Sequence, residues 1–362
     1  MKKFLALMLC VAMTFACAAC SKPEEAPTQT PATVTEETTT DAEEVSPEVK
    51  QMLVDFEAAL VDQLGEIPEP TGEEKIGILI ISLTNPFWVT MKDCYEAAAA
   101  DLGITVEVQT GTTEGDTQSQ LDTLMTMADM DYDAIIVSPI DGTNLIPGIV
   151  KCNENGIPVI NLGPGVDLEA LKAAGGHLDG KITVKFEDQG TIVANDMIAR
   201  LPEGGQVAIL EGLAGAGQSV GRTKGATDVF TATENIDLVA SQPCDWDATK
   251  AYDATKDLIT AYPDLKGIFA CNDVMALAAV EALQAEGKTD VLVYGVDYTA
   301  DAKAAMEAGT MTGSMSYSSV IYTKAALKMG INLAQGGTFE DNIYLPLTLV
   351  TKDTVAGFIG WK

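Results

Sequence analysis

The chain has 362 residues, enough for two lobes that each bury a core of their own. Acidic residues outnumber basic ones 53 to 22, for a net charge of -31, which excludes nucleic acid and an anionic membrane surface as electrostatic partners. Seven cysteines without metal-ligand spacing and a single histidine exclude a disulfide framework and a zinc centre.

Met1-Lys2-Lys3 is a cationic start, and Phe4 to Ala16 is an apolar run too short to span a bilayer. Ala18-Ala19-Cys20-Ser21 closes it with small residues before a cysteine. This resembles a bacterial lipoprotein signal over residues 1–20, cut before Cys20, which then carries the lipid. Cys17 stands where such signals usually have Leu, so an ordinary secretory signal is the alternative. Both readings put the mature chain outside the cytoplasm, and the lipid anchors it to the cell membrane, at the cell surface or in a periplasm. Residues 21–72 are expected to form a disordered acidic tether. Ser21 to Pro47 is rich in Thr, Pro and Glu and has almost no large apolar residue. Val49, Leu53, Phe56, Leu60 and Leu64 then recur at helical spacing and predict a short helix against the body, followed by a Pro-rich linker at Ile67 to Thr71.

Lys75 to Trp88 sets the pattern for the rest. Ile76, Ile78, Leu79, Ile80 and Ile81 predict a parallel strand buried on both faces. Pro86 opens a helix, where its missing N–H costs nothing, and Met91, Tyr95, Ala98 and Leu102 follow at helical spacing. Strands over Thr105–Gln109, Ala134–Ser138 and Pro158–Asn161 alternate with helices over Asp116–Met130 and Asn144–Asn155. The pattern loosens through Gly163-Pro164-Gly165 and Gly175-Gly176. After a helix over Gln189–Arg200 it restarts, with strands at Gln206–Leu210, Asp237–Ser241, Gly267–Cys271 and Val291–Val296. Helices over Ser219–Thr233, Ala248–Tyr262 and Val274–Ala285 lie between them. Two rounds of βαβαβ predict an α/β fold of two doubly wound lobes. A strand at Met311–Ser316, a long helix at Val320–Ala334 and two apolar runs follow and must return to both lobes. The predicted lobes are residues 73–187 with 318–346, and 188–317 with 347–362.

Ligands bind open α/β sheets at the carboxyl ends of their strands. Asn85, Phe87 and Trp88 follow the first strand, although this trio also suits a helix staple with core aromatics. Trp246 follows the strand at Asp237–Ser241. Asn272 follows the strand at Gly267–Cys271, with Asp273 placed to cap the next helix. Asp297 ends the strand at Val291–Val296, and Tyr317 follows the one at Met311–Ser316. If the lobes face each other, these residues converge. Aromatic rings stack on the C–H faces of a sugar, and Asp and Asn bridge neighbouring hydroxyls. Cys244 and Cys271 each stand beside a candidate site residue, and a disulfide between them is left open, because connectivity cannot be read from spacing.

The segments IGILIISLTNPFW, DAIIVSPID, NENGIPVINL, ASQPCDWD, GIFACNDVMALAAVEAL and VLVYGVD lie in order between about Glu74 and Lys352. They resemble the periplasmic sugar-binding proteins of the ribose-binding type. The resemblance implies a type I periplasmic binding protein fold, two Rossmann-like lobes joined by a three-crossover hinge that closes on ligand. It implies a monomeric receptor that delivers a small sugar or sugar-like polyol to the permease subunits of an ABC importer. Ligand input to a membrane sensor or chemoreceptor is the alternative role. By position, Asn85, Phe87 and Trp88 fall on first-lobe contacts, Trp246 on a second-lobe stacking aromatic, and Asn272 and Asp297 on polar contacts. Tyr317 falls where ribose binders carry a Gln near the hinge. The sequence departs from the family at an Asp-Arg pair, here Gly163-Pro164, and at a further arginine, here Val220. Arg222, two residues on in an R-x-x-G pattern, is expected to be structural. With three charged contacts absent, each worth about 1.5–3 kcal/mol, ribose is disfavoured, and another sugar, a polyol or a less polar ring fits better.

Gly217-Gln218-Ser219-Val220-Gly221 matches a serine-hydrolase elbow, but the only histidine, His177, lies upstream and reads as a surface loop residue. Glu211 to Ala216 also separates the motif from its strand. Gly212 to Gly217 lacks dinucleotide-binding spacing, and no G-x-x-x-x-G-K-[ST] occurs. Gene regulators that share the sugar-binding core carry a basic helix-turn-helix ahead of it, where this chain has a leader and an acidic tether. The expectation is a binding protein and not an enzyme, with no cofactor, no metal and no nucleic-acid partner.

Overall fold

The computed structural model describes residues 45–339 and 342–361. The signal segment, the lipidation candidate Cys20 and the tether as far as residue 44 lie outside the described residues.

A first helix, α1 (Pro47–Leu64), precedes two sheets. The first sheet is built from β1 (Lys75–Ile80), β2 (Thr105–Thr110), β3 (Ala134–Val137), β4 (Val159–Leu162) and β5 (Gly180–Thr183). Its connections are α2 (Pro86–Leu102), α3 (Thr117–Met127), α4 (Ile146–Glu154) and α5 (Leu168–Ala173). Then α6 (Phe186–Arg200) leads into β6 (Gly205–Glu211), β7 (Ile236–Pro243), β8 (Leu265–Ala270), β9 (Leu292–Val296) and β10 (Gly313–Ser316). Between these run α7 (Gly217–Ala232), α8 (Ala248–Ala261), α9 (Asp273–Ala285) and α10 (Ala300–Glu307). The chain closes with α11 (Ser319–Ala334), β11 (Ile343–Tyr344) and β12 (Thr348–Thr351).

The first sheet has the order β11-β5-β4-β3-β1-β2 with every neighbour parallel. The second has the order β12-β10-β9-β8-β6-β7, parallel except where β12 runs against β10. Both place the first strand between the second and the third, so both have a topological switch point where a ligand crevice opens. β1 shows why its isoleucines matter. Ile76, Ile78 and Ile80 enter the core beneath α2 and α11, and Leu79 enters the core beneath α3 and α4. The chain passes from the first sheet to the second between β5 and α6. It returns between β10 and α11 and crosses again between β11 and β12, which makes three crossovers. The α/β fold of two doubly wound lobes is therefore the observed one.

Three elements were not foreseen: α5, β5 and α10. β5 has four residues and opens with Gly180-Lys181, so it carries no apolar run to read. A Cβ at Gly180 would meet the end of the Met329 side chain at 2.7 Å, so β5 packs closely on α11 there.

α1 lies against the body as its spacing predicts, and it touches both cores. Val49 is buried with the second sheet's core, and Leu60 and Leu64 with the first sheet's. Ser46 caps the helix and anchors it, its Oγ donating to the Gly357 carbonyl at 2.5 Å. Phe56 stacks edge-on with Trp361, and Glu57 pairs with Lys324 at 2.8 Å on α11.

Cys244 and Cys271 are free. Their N–H groups donate to Glu211 and Leu210 on β6, so they flank that strand from opposite sides. Two strand spacings, about 10 Å, separate them, too far for a disulfide.

Candidate functional site

The carboxyl ends of the two sheets face one another across a cavity lined from both sides. All seven residues singled out in the sequence line it: Asn85, Phe87 and Trp88 from the first lobe, Trp246, Asn272 and Asp297 from the second, and Tyr317 at a crossover.

On the first-lobe side, Asn85 caps α2 by accepting the Phe87 N–H at 3.0 Å. With the helix opened there, Phe87 and Trp88 line the cleft. Phe87 packs edge-on against Trp88 with centroids 4.9 Å apart, and against Tyr317 at 5.9 Å. The cap fits the staple reading, and the same residues also line the cavity.

On the second-lobe side, two of the site residues have left-handed backbones. Trp246 has φ 65°, after Asp245 at 53°, and Asp297 has φ 116°. Residues without glycine's freedom rarely adopt such angles, and they cluster at functional sites. Trp246 folds back over Gly212, where a Cβ would stand 1.9 Å from the indole. Asp297 donates its N–H to the Met315 carbonyl at 2.9 Å, fixing its carboxylate at the end of β9. Burial pushes that carboxyl well above the usual carboxylate range, although Arg222 opposes the shift.

Asn272, not Asp273, caps α9. Its Oδ1 accepts the Met275 N–H at 3.0 Å, which leaves its Nδ2 buried with no protein partner. Asp273 is instead the first residue of the helix and points inward. It accepts from the Ser314 hydroxyl at 2.7 Å and from the Thr299 N–H at 2.8 Å. Burial pushes Asp273 up to about 7. Asn suits the cap better because Asp273 has two donors waiting below the helix.

Arg222 corrects the sequence reading. Its pattern is structural in part, since Gly225 lets α7 approach the Glu187 carbonyl of α6, where a Cβ would fall 1.9 Å away. Its side chain nevertheless lines the cavity, with Nη2 facing Asp297 at 3.8 Å. Nε donates to Gln189 at 2.8 Å and Nη1 to the Cys271 carbonyl at 2.7 Å. Val220, at the position of the family arginine, is exposed instead. One guanidinium therefore remains in the cleft.

Sequence reasoning also missed Glu114, Gln218, Phe186 and Tyr322, all of which line the cavity. The strand-end rule would have found Glu114 and Gln218, which follow β2 and β6, had it been applied to every strand. Glu114 accepts from Ser82 Oγ at 3.2 Å, and burial pushes its carboxyl up to about 7. Gln218 leaves its Oε1 buried without a partner. Ser219 sits in the first turn of α7, whereas His177 is largely exposed on the first lobe, 3.4 Å from Asp179. No nucleophile–base pair forms between them.

Two doubly wound lobes, with a polar and aromatic cavity at their facing strand ends, define a two-lobed solute-binding protein. Residues 76–338 match the family model described as "Periplasmic binding protein domain". The chain belongs to this family, as a sugar-binding periplasmic protein of the ribose type. The D-allose-binding periplasmic protein of Escherichia coli strain K12 is 36% identical over 262 residues, covering 72% of this chain and 84% of that protein. The ribose import binding protein of Bacillus subtilis strain 168 is 28% identical over 291 residues, covering 79% and 90%. A crystal structure of an ABC transporter periplasmic solute binding protein from Actinobacillus succinogenes 130z, with bound D-allose, has a TM-score of 0.75 at 29% identity. It covers 79% of this chain and 100% of that one. The family is one of binding proteins, and its periplasmic members act outside the cytoplasm.

Proposed function

We propose that the protein is the extracytoplasmic receptor of an ABC importer and captures a small sugar or cyclic polyol between its lobes. It binds this solute without turning it over, works as a monomer, and is held at the membrane by a lipid on Cys20. Asn85, Phe87, Trp88, Trp246, Asn272, Asp297 and Tyr317 contact the ligand. The supporting observation is the division of the cavity into two half-sites, each with aromatic faces and polar groups and neither complete alone. Indole and phenyl faces cover the C–H surfaces of a pyranose or cyclitol, while Asp297 and the unpartnered Asn272 Nδ2 take its hydroxyls. Closure brings the halves together, so ligand stabilises the closed arrangement that a permease recognises. The relatives named for D-allose and ribose support the sugar class. Ribose itself is disfavoured, because Gly163 and Pro164 replace a charged pair.

A thermal-shift screen over pentoses, hexoses, inositols and acyclic polyols tests this reading. A ligand that binds only the folded chain raises the melting point. At least one compound should do so, whereas no shift across the panel at millimolar concentration contradicts the proposal. Mass spectrometry of the membrane fraction tests the anchor, which predicts a diacylglyceryl-sized mass increment that Cys20→Ser abolishes.

A further inference from the structure

The charges of the cleft do not balance. Among the described residues, its acidic and basic lining side chains are Glu114 on the first lobe and Arg222 and Asp297 on the second. Arg222 is already engaged by Gln189 and by the Cys271 carbonyl, and its remaining amino group faces Asp297. Asp297 thus has a cation beside it, and Glu114 has none. The Glu114 carboxylate meets only neutral partners, Ser82 Oγ at 3.2 Å and the Asn85 side chain. One free acceptor, Gln218 Oε1, and one free donor, Asn272 Nδ2, are also buried there, so the imbalance lies in the carboxylates.

We propose that the ligand is a sugar or cyclic polyol bearing a protonated amine, and that Glu114 selects it. This rests on the reading of the cleft as the solute site. A half-buried carboxylate without a counter-charge is costly, and a ligand that brings the charge removes the cost. An ammonium group supplies one positive charge and three donors, which answer Glu114 and the Gln218 carbonyl oxygen. Trp88 and Trp246 line the same space, and indole rings attract cations. Glu114 and Asp297 act on each other electrostatically across the cleft. Closure over a neutral ligand brings two carboxyl groups together with one guanidinium, whereas closure over a cation leaves two charges of each sign. The hydroxyls of the polyol ring remain for Asn272 Nδ2 and Asp297.

Calorimetric titration of the intact protein near neutral pH with matched compounds is the test. The probes are glucosamine, galactosamine, mannosamine and an amino-inositol, each set against its neutral parent and its N-acetyl form. At least one amine should bind about tenfold or more tighter than its parent, the scale of a charge-assisted hydrogen bond. N-acetylation should abolish the preference. Glu114→Gln should bring the amine-to-parent ratio to about one while changing the parent's affinity only a few-fold. Parents that bind as tightly as their amines in the wild-type protein overturn the proposal, whatever the variant does. So does an unchanged ratio in a folded Glu114→Gln protein. If parents bind and amines do not, the amine assignment falls and the sugar receptor stands; if no member of any set binds, both fall.

Discussion

Gly212 holds Trp246 in the cleft by having no side chain. The indole lies where a Cβ would be, so Gly212→Ala must push the ring out. The cognate ligand should then bind more weakly by about 1–3 kcal/mol, as for removing a large buried side chain. Titration of the variant checks this, and wild-type affinity would show that the ring is not a ligand platform. Glu114 carries a pH signature. Its carboxyl has an ordinary value of 4.5 and is raised to about 7 in the fold, chiefly by burial. A proton held more tightly in the fold stabilises fully below the unfolded value, and that contribution is lost as pH rises through the folded one. The ligand-free protein should therefore lose stability between about pH 5 and about pH 7.5, and Glu114→Gln should make the slope shallower. It does not abolish the slope, because Asp273 and Asp297, which face Arg222, are raised as well. Melting points across that range decide the matter, and identical slopes would remove Glu114 as a contributor. Asn85 and Asp297 were legible in the sequence because each follows a recognisable apolar strand, and Trp246 because an aromatic residue follows the strand read at Asp237–Ser241. Glu114 was overlooked although its strand was read, because it stands in the loop four residues past the end of β2. Arg222 was misread because one turn of helix does two jobs, its glycine packing on α6 while its guanidinium reaches the cleft.

Among the elements, α1 ties the two cores together. Its first half packs through Val49 on the second lobe, and its last turn through Leu60 and Leu64 on the first. Glu57 and Phe56 add an ion pair to α11 and a ring contact to Trp361. Leu60→Ala should destabilise the protein by about 2–5 kcal/mol, the range for a buried Leu. Denaturant unfolding measures this, and a loss below about 1 kcal/mol would mean that the helix is only loosely docked. The spacing of its apolar residues revealed this helix, but not that it spans both lobes, since periodicity identifies a buried face and not what buries it. The short elements were illegible for a related reason. α5 has six residues, fewer than two helical turns, and β5 opens with Gly180-Lys181 and so carries no apolar run.

At the scale of the whole molecule, one strand order is used twice, and three crossovers join the copies. The alternation of apolar runs and helical spacing made this architecture readable from residue 75 onward. What it could not give was the charge of the space between the lobes, which depends on loops that the sheets bring together. Capture requires that both lobes hold the solute at once. Titration calorimetry tests this most directly, using the compound that the thermal screen selects on wild-type protein, Trp88→Ala and Trp246→Ala. One ligand should bind per chain, and each variant should bind more weakly by about 1–3 kcal/mol although the two tryptophans belong to different lobes. Wild-type affinity in either folded variant would contradict it.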